Sequence, residues 1–259
     1  MKKIIYDLGA CRGENLNYYL SNADLVVAAE ANPENCEYIS KNFLEDIKKK
    51  KLILLNCIVG TDPNIDIANF YIHKHNYLLG QFPIPNNKEN EFEKIQIKHL
   101  DVLNIFKEYG DAYYIKIDLE EYDHIILERI LVQDIKFTYL SSEIKKIDDF
   151  TLFSKFKKIN SFKIIDGHNV EYLYKYFLQN SAGPFGNDIK GPWISYANFI
   201  EILKFKLNQN GWFDVHCSLI DQEENTFNYK KYIFLEKLKN FKVKYKKKIL
   251  RWKIKYLKQ

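Results

Sequence analysis

Two acidic residues and two glycines near the start of the chain have the types and spacing of a ligand site. Asp7 lies in the first apolar run, Gly9 and Gly13 follow it, and Glu30 ends the second run. Glycine permits backbone angles and a close approach that a β-carbon would block, so a ligand can lie against the main chain here. A carboxylate at a strand end can accept hydrogen bonds from both ribose hydroxyl groups. We therefore predict a cofactor site.

The acid in this turn indicates the charge of the ligand. Glycines in a strand-to-helix turn often serve only the turn itself, but Glu30, 17 residues after Gly13, favours a ligand. Asp7 stands where a dinucleotide-binding turn has its first glycine, and its charge would repel a pyrophosphate. The same charge would attract an ammonium or sulfonium group. A ribonucleoside that carries a cationic amino acid therefore fits better than NAD.

The motif Asp7-x-Gly9-Ala10-x-x-Gly13 with Glu30-Ala31-Asn32 resembles the S-adenosylmethionine site of class I methyltransferases. One branch, the FkbM-type methyltransferases, is similar over residues 4 to about 200. It has a Lys-Ile-Asp-x-Glu-Gly segment on its fourth strand, which Lys116-Ile117-Asp118-Leu119-Glu120 resembles, with Glu121 at the position of the glycine. Residues 139–143 resemble its fifth strand, and 181–186 with Trp193 resemble a segment of its carbohydrate-modifying members.

This resemblance implies an α/β, Rossmann-like class I methyltransferase fold, with a mainly parallel seven-stranded sheet, helices on both faces, a hairpin insertion and a C-terminal appendage. It implies S-adenosyl-L-methionine as the cofactor. It also implies O-methylation of a carbohydrate, as a sugar nucleotide or surface glycan precursor, or of another small polar metabolite. The predicted cofactor contacts are Asp7, Gly9, Ala10, Gly13, Asn15, Glu30, Ala31, Asn32, Cys57, Ile58 and Asp118.

Asp118, Glu120 and His124 are the candidate catalytic residues. Consecutive acids after a strand can turn toward one pocket, where they would position the acceptor and take its proton, and His124 could share the role of base. Capping of the following helix is the alternative for Glu120 and His124, and Asp123 could cap it with them. Lys116 could form an ion pair with Glu143 or take part in catalysis. Oxygen ligands would suit Mg²⁺, but no dedicated metal spacing is present, and we predict no metal.

Alternating strands and helices predict the sheet that positions these residues. Helix 33–49 should begin at an Asn32 cap and turn Tyr38, Ile39, Phe43 and Ile47 inward. The predicted strands are 3–8, 25–29, 52–59, 112–118, 137–143 and the closing pair 162–166 with 170–177, and the other helices are 14–20, 101–108, 123–131 and 149–159.

We predict three regions along the chain. The cofactor-binding core covers 1–179, and its hairpin insertion at 60–99 contains strands 70–73 and 93–100. In that insertion His73, His75, Tyr77 and Gln81 either contact substrate or lie in a surface loop. Residues 180–236 form an appendage packed on the core, with a helix at 195–208 and a strand at 212–220. A basic, aromatic tail covers 237–259.

Charge is distributed unevenly between the tail and the rest of the chain. The tail holds 11 of the 39 basic residues and none of the 34 acidic ones, so residues 1–236, with 28 bases and 34 acids, have a formal charge of −6. The tail could dock on an anionic membrane or an acidic partner, or be a solvated basic helix. No apolar run reaches the roughly 18 residues of a membrane span, and the four cysteines form no close pairs. We expect a cytoplasmic protein, peripheral at the inner membrane face if the tail binds lipid.

Other functions share the predicted crevice. The leading interpretation is an S-adenosylmethionine-dependent O-methyltransferase with a small-molecule acceptor and no nucleic-acid partner. The alternatives are an N-methyltransferase of a small amine, an NAD-dependent oxidoreductase, and a non-catalytic Rossmann-like binding protein. The acid at Asp7 disfavours NAD, and the complete set of Asp7, Gly9, Gly13 and Glu30 disfavours a site that has decayed. The oligomeric state stays open.

Overall fold

A central sheet of seven strands organises the protein. The computed structural model describes residues 2–85, 89–156, 158–159, 161–166, 183–208, 213–221 and 228–238. Its strands are β1 (Ile4–Leu8), β2 (Leu25–Glu30), β3 (Leu52–Asn56), β4 (Ile58–Gly60), β5 (Ile67–His73), β6 (Gly80–Gln81), β7 (Phe92–Asp101), β8 (Tyr114–Ile117), β9 (Tyr139–Glu143), β10 (Ser161–Asp166) and β11 (Phe213–Ser218). The central sheet has the order β10-β11-β9-β8-β1-β2-β3. Among the seven strands of this sheet that the structure describes, β11 runs opposite to the other six, so the prediction of a mainly parallel seven-stranded sheet is confirmed.

Helices cover both faces of this sheet, as predicted. They are α1 (Leu16–Asn22), α2 (Pro33–Asn42), α3 (Leu44–Lys48), α4 (Val102–Tyr109), α5 (Asp123–Val132), α6 (Ile147–Thr151) and α7 (Tyr196–Leu207). Successive side chains of a strand point to opposite faces. On β1, Tyr6 joins a core that contains Phe199 of α7, whereas Ile5 joins a second core with Tyr19 of α1. The two apolar cores hold the helices against the sheet.

The antiparallel strand comes from a different part of the chain than predicted. The pair 162–166 with 170–177 was expected to supply it, and 170–177 lies outside the described residues. β10 instead pairs with β11, which inserts between β9 and β10. β11 therefore belongs to the central sheet although it falls within 180–236, the range predicted as an appendage. The antiparallel direction brings the N-terminal end of β11 to the edge where β8 and β9 end.

Two predicted elements are divided in the structure. The predicted strand 52–59 ends at Asn56 and resumes at Ile58 as β4, which leaves the central sheet and pairs with β7. The predicted helix 33–49 breaks at Phe43 into α2 and α3. Tyr38, expected inward, is 48% exposed because it lies on the solvent side of α2. The α2 cap is as predicted, since the Asn32 side chain accepts a hydrogen bond from the Glu34 amide.

The insertion forms its own small sheet in the order β4-β7-β5-β6. β5 and β7 are antiparallel neighbours from Ile67–Lys98 to His73–Phe92, as predicted for this hairpin. Through β4 and β7 the sheet is joined to the end of β3. An open groove, lined by Asn56, Asp66, Ile67 and residues 96–100, runs along this junction.

Candidate functional site

The glycine turn after β1 fits against two neighbouring strand ends. Gly9 and Ala10 both donate backbone hydrogen bonds to the carbonyl oxygen of Ala29, at 2.9 and 3.0 Å. Gly9 has φ +92°, and a β-carbon there would lie 1.8 Å from the carbonyl oxygen of Asp118. Gly13 also has a positive φ, +80°. The turn therefore needs glycine at Gly9 for both its backbone angles and its close approach to the end of β8.

Glu30 holds two neighbouring loops, the glycine turn after β1 and the loop that follows β2. Its carboxylate accepts a 2.8 Å hydrogen bond from the Cys11 amide and a 2.7 Å bond from the Asn32 amide, one on each oxygen. The side chain is buried, and burial raises its pKa to about 7 although both amides act in the opposite direction. The Asn35 side chain also acts on this carboxylate as a hydrogen-bond donor, and the remaining lone pairs of the two oxygens can accept hydrogen bonds from a ligand.

Asp7 is a buried carboxylate without a hydrogen-bonding partner among the described residues. Its side chain is fully buried in the middle of β1, and neither oxygen finds a donor there. Burial raises the pKa of Asp7 to about 7, against the attraction of the Lys116 ammonium beside it. A buried acid of this kind is stabilised when a cation or a donor reaches it. The environment fits the amino-acid end of a cationic ligand.

The remaining predicted cofactor residues surround these two acids. Ala10 and Asn15 are buried, and Asn15 lies against Gly183, where a β-carbon would meet its Oδ1 at 2.5 Å. Cys57 donates its amide to the Glu30 carbonyl oxygen at 3.1 Å. Asn56 donates its side-chain amide to the carbonyl oxygens of Glu30 and Ala31, at 3.0 and 3.2 Å. Asn32 and Ile58 are also buried.

Asp118 stands at the end of β8 and is bound by the lysine two residues before it. Lys116 is buried, and its ammonium donates to Asp118 Oδ2 at 2.5 Å, whereas the Asp118 side chain is 46% exposed. The expected ion pair between Lys116 and Glu143 is therefore wrong. Glu143 pairs with Lys145 at 3.5 Å. Lys116 orients the Asp118 carboxylate because both side chains lie on the same face of β8.

Glu120 and Glu121 form the tight turn after β8. Both have a positive φ, 45° and 68°, so the family's glycine position is left-handed here although it holds Glu121. Lys145 binds both side chains, at 3.8 Å from Glu120 and 2.8 Å from Glu121. Burial, followed by the charge of Asp118, raises the pKa of Glu120 to about 7. A carboxylate with this pKa can accept a proton at neutral pH.

His124 is exposed in the first turn of α5. The buried acid of that turn is Asp123, which accepts a 3.1 Å hydrogen bond from the Leu119 amide. Burial and the charge of Asp118 raise the pKa of Asp123 to about 7. Asp123 thus holds the loop that precedes α5, and α5 has no side-chain hydrogen bond at its cap position, Tyr122. The raised pKa favours Glu120 over the exposed His124 as the candidate base.

Asp214 is a site residue that the sequence did not indicate. It is the second residue of β11, lies directly opposite Glu143 in the sheet, and is 9% exposed. Gly9, Asp118, Glu143 and Asp214 thus stand side by side across four strands, and we call them the terminal row. Burial and the charge of Asp118 raise the pKa of Asp214 well above its usual range. The sequence did not show that Asp214 belongs to the site, because its strand was predicted as part of the appendage. Its place at the site follows from the position of β11 inside the central sheet.

A second row of polar residues lies deeper in the sheet, and the sequence had indicated Asp7 and Lys116 but not the other members. The strand registers align its members across five strands, and we call them the buried row: Asp7, Lys116, Ser141, His216 and Lys163. Every member is buried to at least nine-tenths. His216 has no hydrogen-bonding partner among the described residues, and burial with the charges of Lys163 and Lys116 lowers its pKa to about 3. It is therefore neutral at physiological pH.

The acids of the site do not form a recognisable metal centre. Within the described ranges, no group of three or more His, Cys, Asp or Glu side chains is arranged to hold a metal ion.

None of the helices in those ranges combines the length and apolar character that a membrane span requires.

Comparison with known proteins gives one extended sequence match. The family model described as "Methyltransferase FkbM domain" matches residues 7–176. No curated protein matches the chain significantly.

Three solved structures illustrate the structural matches. The N-terminal domain of human METTL16 has a TM-score of 0.38 and 8% identity, over 85% of this chain and 62% of that one. StiE O-MT residues 961–1257 has a TM-score of 0.40 and 9% identity, over 93% and 74%. An rRNA methylase from Streptococcus thermophilus has a TM-score of 0.38 and 10% identity, over 84% and 86%. The chain thus spans less than two thirds of the METTL16 structure.

Proposed function

This chain belongs to the FkbM methyltransferase family, and we propose that it methylates a hydroxyl oxygen of a carbohydrate or another small polar metabolite. Family membership makes it an enzyme that uses S-adenosylmethionine as methyl donor. That cofactor supplies an electrophilic methyl group on a positively charged sulfur. We call the region around Asp7, Gly9 and Glu30 the cofactor end of the site, and the region around Asp118, Glu120, Glu143 and Asp214 the acceptor end.

The cofactor end fits this donor. The absence of a β-carbon at Gly9 lets the glycine turn lie directly against the Asp118 carbonyl oxygen, which brings the turn to the end of β8. The buried Asp7 carboxylate, which lacks a donor among the described residues, suits the amino-acid part with its positive charge. The remaining lone pairs of Glu30 suit the two ribose hydroxyl groups. These three features support the assignment of Asp7, Gly9 and Glu30 to the cofactor.

The observation that carries the proposal is the oriented carboxylate of Asp118 beside Gly9. Methyl transfer needs the acceptor oxygen in line with the methyl group, so alignment supplies much of the rate. Lys116 fixes one oxygen of Asp118, while the half-exposed side chain can bind an acceptor hydroxyl group. We assign acceptor positioning to Asp118.

Glu120 is our candidate for the base. S-adenosylmethionine, when bound, would supply the methyl group and leave as the neutral thioether. The acceptor oxygen would gain the methyl group and give up its hydroxyl proton, which the Glu120 carboxylate would accept. Its pKa of about 7 matches this task at neutral pH. Lys145, 3.8 Å away, holds the side chain in the turn after β8.

The acceptor class rests on the resemblance of residues 181–186 and Trp193 to carbohydrate-modifying members. Residues 181 and 182 lie outside the described residues. Phe185 stacks on Tyr114 with ring centroids 4.2 Å apart, and Trp193 stacks on Tyr139 at 6.1 Å. Both aromatic rings are buried and pack on the first residues of β8 and β9, at the opposite ends of these strands from Asp118 and Glu143, so they do not form a surface on which a sugar could stack.

A methyl-transfer assay tests the proposal. The protein is incubated with S-adenosylmethionine labelled in the methyl group and with separate panels of sugar nucleotides, small amines and RNA. Label in a sugar nucleotide that survives mild alkali supports an O-methyl ether. Label in amines alone, or in RNA alone, would overturn the proposed acceptor. Binding of NAD⁺ instead of S-adenosylhomocysteine in calorimetry would overturn the assignment of the cofactor end.

The tail gives the enzyme a second proposed contact. Residues 239–259 lie outside the described residues, so the proposal rests on the 11 bases and interleaved aromatics of 237–259. We propose that the enzyme works in the cytoplasm and that this segment binds anionic lipid, at roughly 1 kcal/mol per base near the surface. Sedimentation with phosphatidylserine vesicles tests this. Equal binding by the full chain and by a chain that ends at Glu236 would refute it.

A further inference from the structure

We propose that Arg12, Asn35 and Tyr77 form a further part of the cofactor site, a clasp by which the insertion closes the ribose end. The proposal rests on the assignment of Glu30 to the ribose. It adds three residues, from the glycine turn, α2 and the insertion, to that assignment. None of the three was predicted as a cofactor contact, although Tyr77 was considered as a substrate contact.

The insertion presents Tyr77 in a closed turn. The Asn76 side chain accepts a 3.1 Å hydrogen bond from the Leu78 amide, and the Leu79 amide donates to the Asn76 carbonyl oxygen at 3.1 Å. The His73 amide donates to the Leu79 carbonyl oxygen at 3.1 Å, which closes the base of the turn. Asparagine favours this geometry because its side chain bonds the backbone two residues on. Tyr77 therefore has a defined position although its side chain is 40% exposed.

Arg12 joins this turn to the glycine turn of the cofactor end. The carbon of its guanidinium group lies 3.8 Å from the centroid of the Tyr77 ring and 5.5 Å from that of Tyr38. A cation over an aromatic face is attracted by the ring, and the planar guanidinium group stacks well on it. Arg12 directly follows Cys11, whose amide bonds Glu30. The stack of Arg12 on Tyr77 thereby joins the insertion to the segment that holds the ribose acid.

Asn35 connects all of these groups. Its side chain is 1% exposed, accepts a hydrogen bond from Arg12 Nε at 3.3 Å, and donates to the Tyr77 carbonyl oxygen at 3.4 Å. The same amide group lies 3.9 Å from Cys11 Sγ. It also acts on Glu30, whose pKa it lowers. A single buried amide thus contacts the glycine turn, the insertion and the ribose acid.

These contacts imply that the clasp stabilises the nucleoside part of a bound ligand and does not act on its amino-acid part. Loss of the Tyr77 ring would remove one face of the Arg12 stack and leave the fold intact, because the ring is partly exposed. We expect the affinity for nucleosides to fall about fivefold, the size of a partly desolvated cation–π contact. Tyr77→Phe keeps an aromatic face and should bind within about twofold of the wild type.

Calorimetry with two ligands tests the clasp. S-adenosylhomocysteine and 5′-methylthioadenosine share the nucleoside, but only the former has the amino-acid end. Tyr77→Leu should weaken both ligands by the same factor, whereas Asp7→Asn should weaken S-adenosylhomocysteine alone. Leu78→Ala, at the neighbouring position of the same turn and 51% exposed, serves as the control for disturbance of the turn.

The outcomes separate the clasp from the function on which it rests. If the wild type binds neither ligand, the assignment of Glu30 to the ribose fails. If the wild type binds both and Tyr77→Leu binds them equally well, the clasp is wrong. Equal loss in Tyr77→Leu and Leu78→Ala would also overturn it, because the effect would then belong to the turn. Arg12→Gln provides a second variant and should reproduce the Tyr77→Leu loss.

Discussion

At the cofactor end Glu30 is held by two backbone amides, whereas at the acceptor end Asp118, Glu120 and Glu143 are held by the side chains of two lysines. Backbone amides are fixed by the turns that contain them, so the first arrangement is as rigid as the glycine turn. Lysine side chains can move with their partners. The difference suits a constant cofactor at one end and a variable acceptor at the other.

The largest expected effect comes from a change where the two ends touch. A β-carbon at Gly9 would meet the Asp118 carbonyl oxygen, so Gly9→Ala must displace either the glycine turn or the end of β8. We expect the affinity for S-adenosylhomocysteine to fall by roughly a hundredfold or more, which corresponds to a few kcal/mol of strain. Calorimetry measures the loss.

Gly191 is the matched control for this substitution. It has φ +91°, nearly the same as Gly9, but a β-carbon there meets nothing within 4 Å. Gly191→Ala should therefore show only the conformational cost, about 1 kcal/mol of stability, with unchanged ligand affinity. Equal affinity losses in the two variants would mean that contact between the two ends is not required.

The next effect should separate the two ends. Asp118→Asn removes the charge that Lys116 orients, so turnover should fall by at least about tenfold while the affinity for S-adenosylhomocysteine stays within about twofold. Asp111→Asn is the control. The Asp111 side chain is 49% exposed, close to the 46% of Asp118, but its carboxylate lies 4.0 Å from a lysine ammonium group, which is farther than in the Asp118 pair. A tenfold loss of affinity with unchanged turnover would place Asp118 at the cofactor end.

The sequence predicted the cofactor end better than the acceptor end for a physical reason. Asp7, the glycine turn and Glu30 belong to one strand–helix–strand unit, in which local pattern determines position. Asp214 reaches the terminal row only because β11 pairs with β9, and these two strands are far apart in the chain. Such pairings leave no periodic signal, and the strand around Asp214 was recognised without its place in the sheet. An ion pair of Lys116 with Glu143 was one of two possibilities for the same reason, and the structure pairs Lys116 with Asp118.

A smaller effect concerns the pH dependence of cofactor binding. The pKa values of Asp7 and Glu30 are raised to about 7, and a cation at Asp7 favours the ionised form, so binding releases protons. The affinity for S-adenosylhomocysteine should rise as pH increases from 6 to 8, by about tenfold or more if both acids contribute. Asp7→Asn should make this dependence shallower. A pH-independent affinity in the wild type would contradict the assignment of both acids.

The smallest effect at neutral pH is expected for Asp214→Asn at the acceptor end. Burial, followed by the charge of Asp118, raises the pKa of Asp214 well above its usual range, so the fold favours the neutral form of this carboxyl group. Asparagine has the same shape and no charge, so stability and S-adenosylhomocysteine affinity should change little. As pH rises above the pKa of a free aspartate, the unfolded wild type releases this proton first, and the native wild type loses stability relative to the variant.

Thermal unfolding of the two proteins from pH 5 to pH 9 measures this difference, and the comparison cancels the titrating groups that do not interact with Asp214. The variant should gain stability over the wild type as pH rises. A constant difference would show that Asp214 has the same pKa in both states, and a growing loss would show that its charge is needed in the fold. Either result would mean that Asp214 is a charged partner of Lys116, like Asp118. The contrast between the cofactor end and the acceptor end would then be smaller than their contacts indicate.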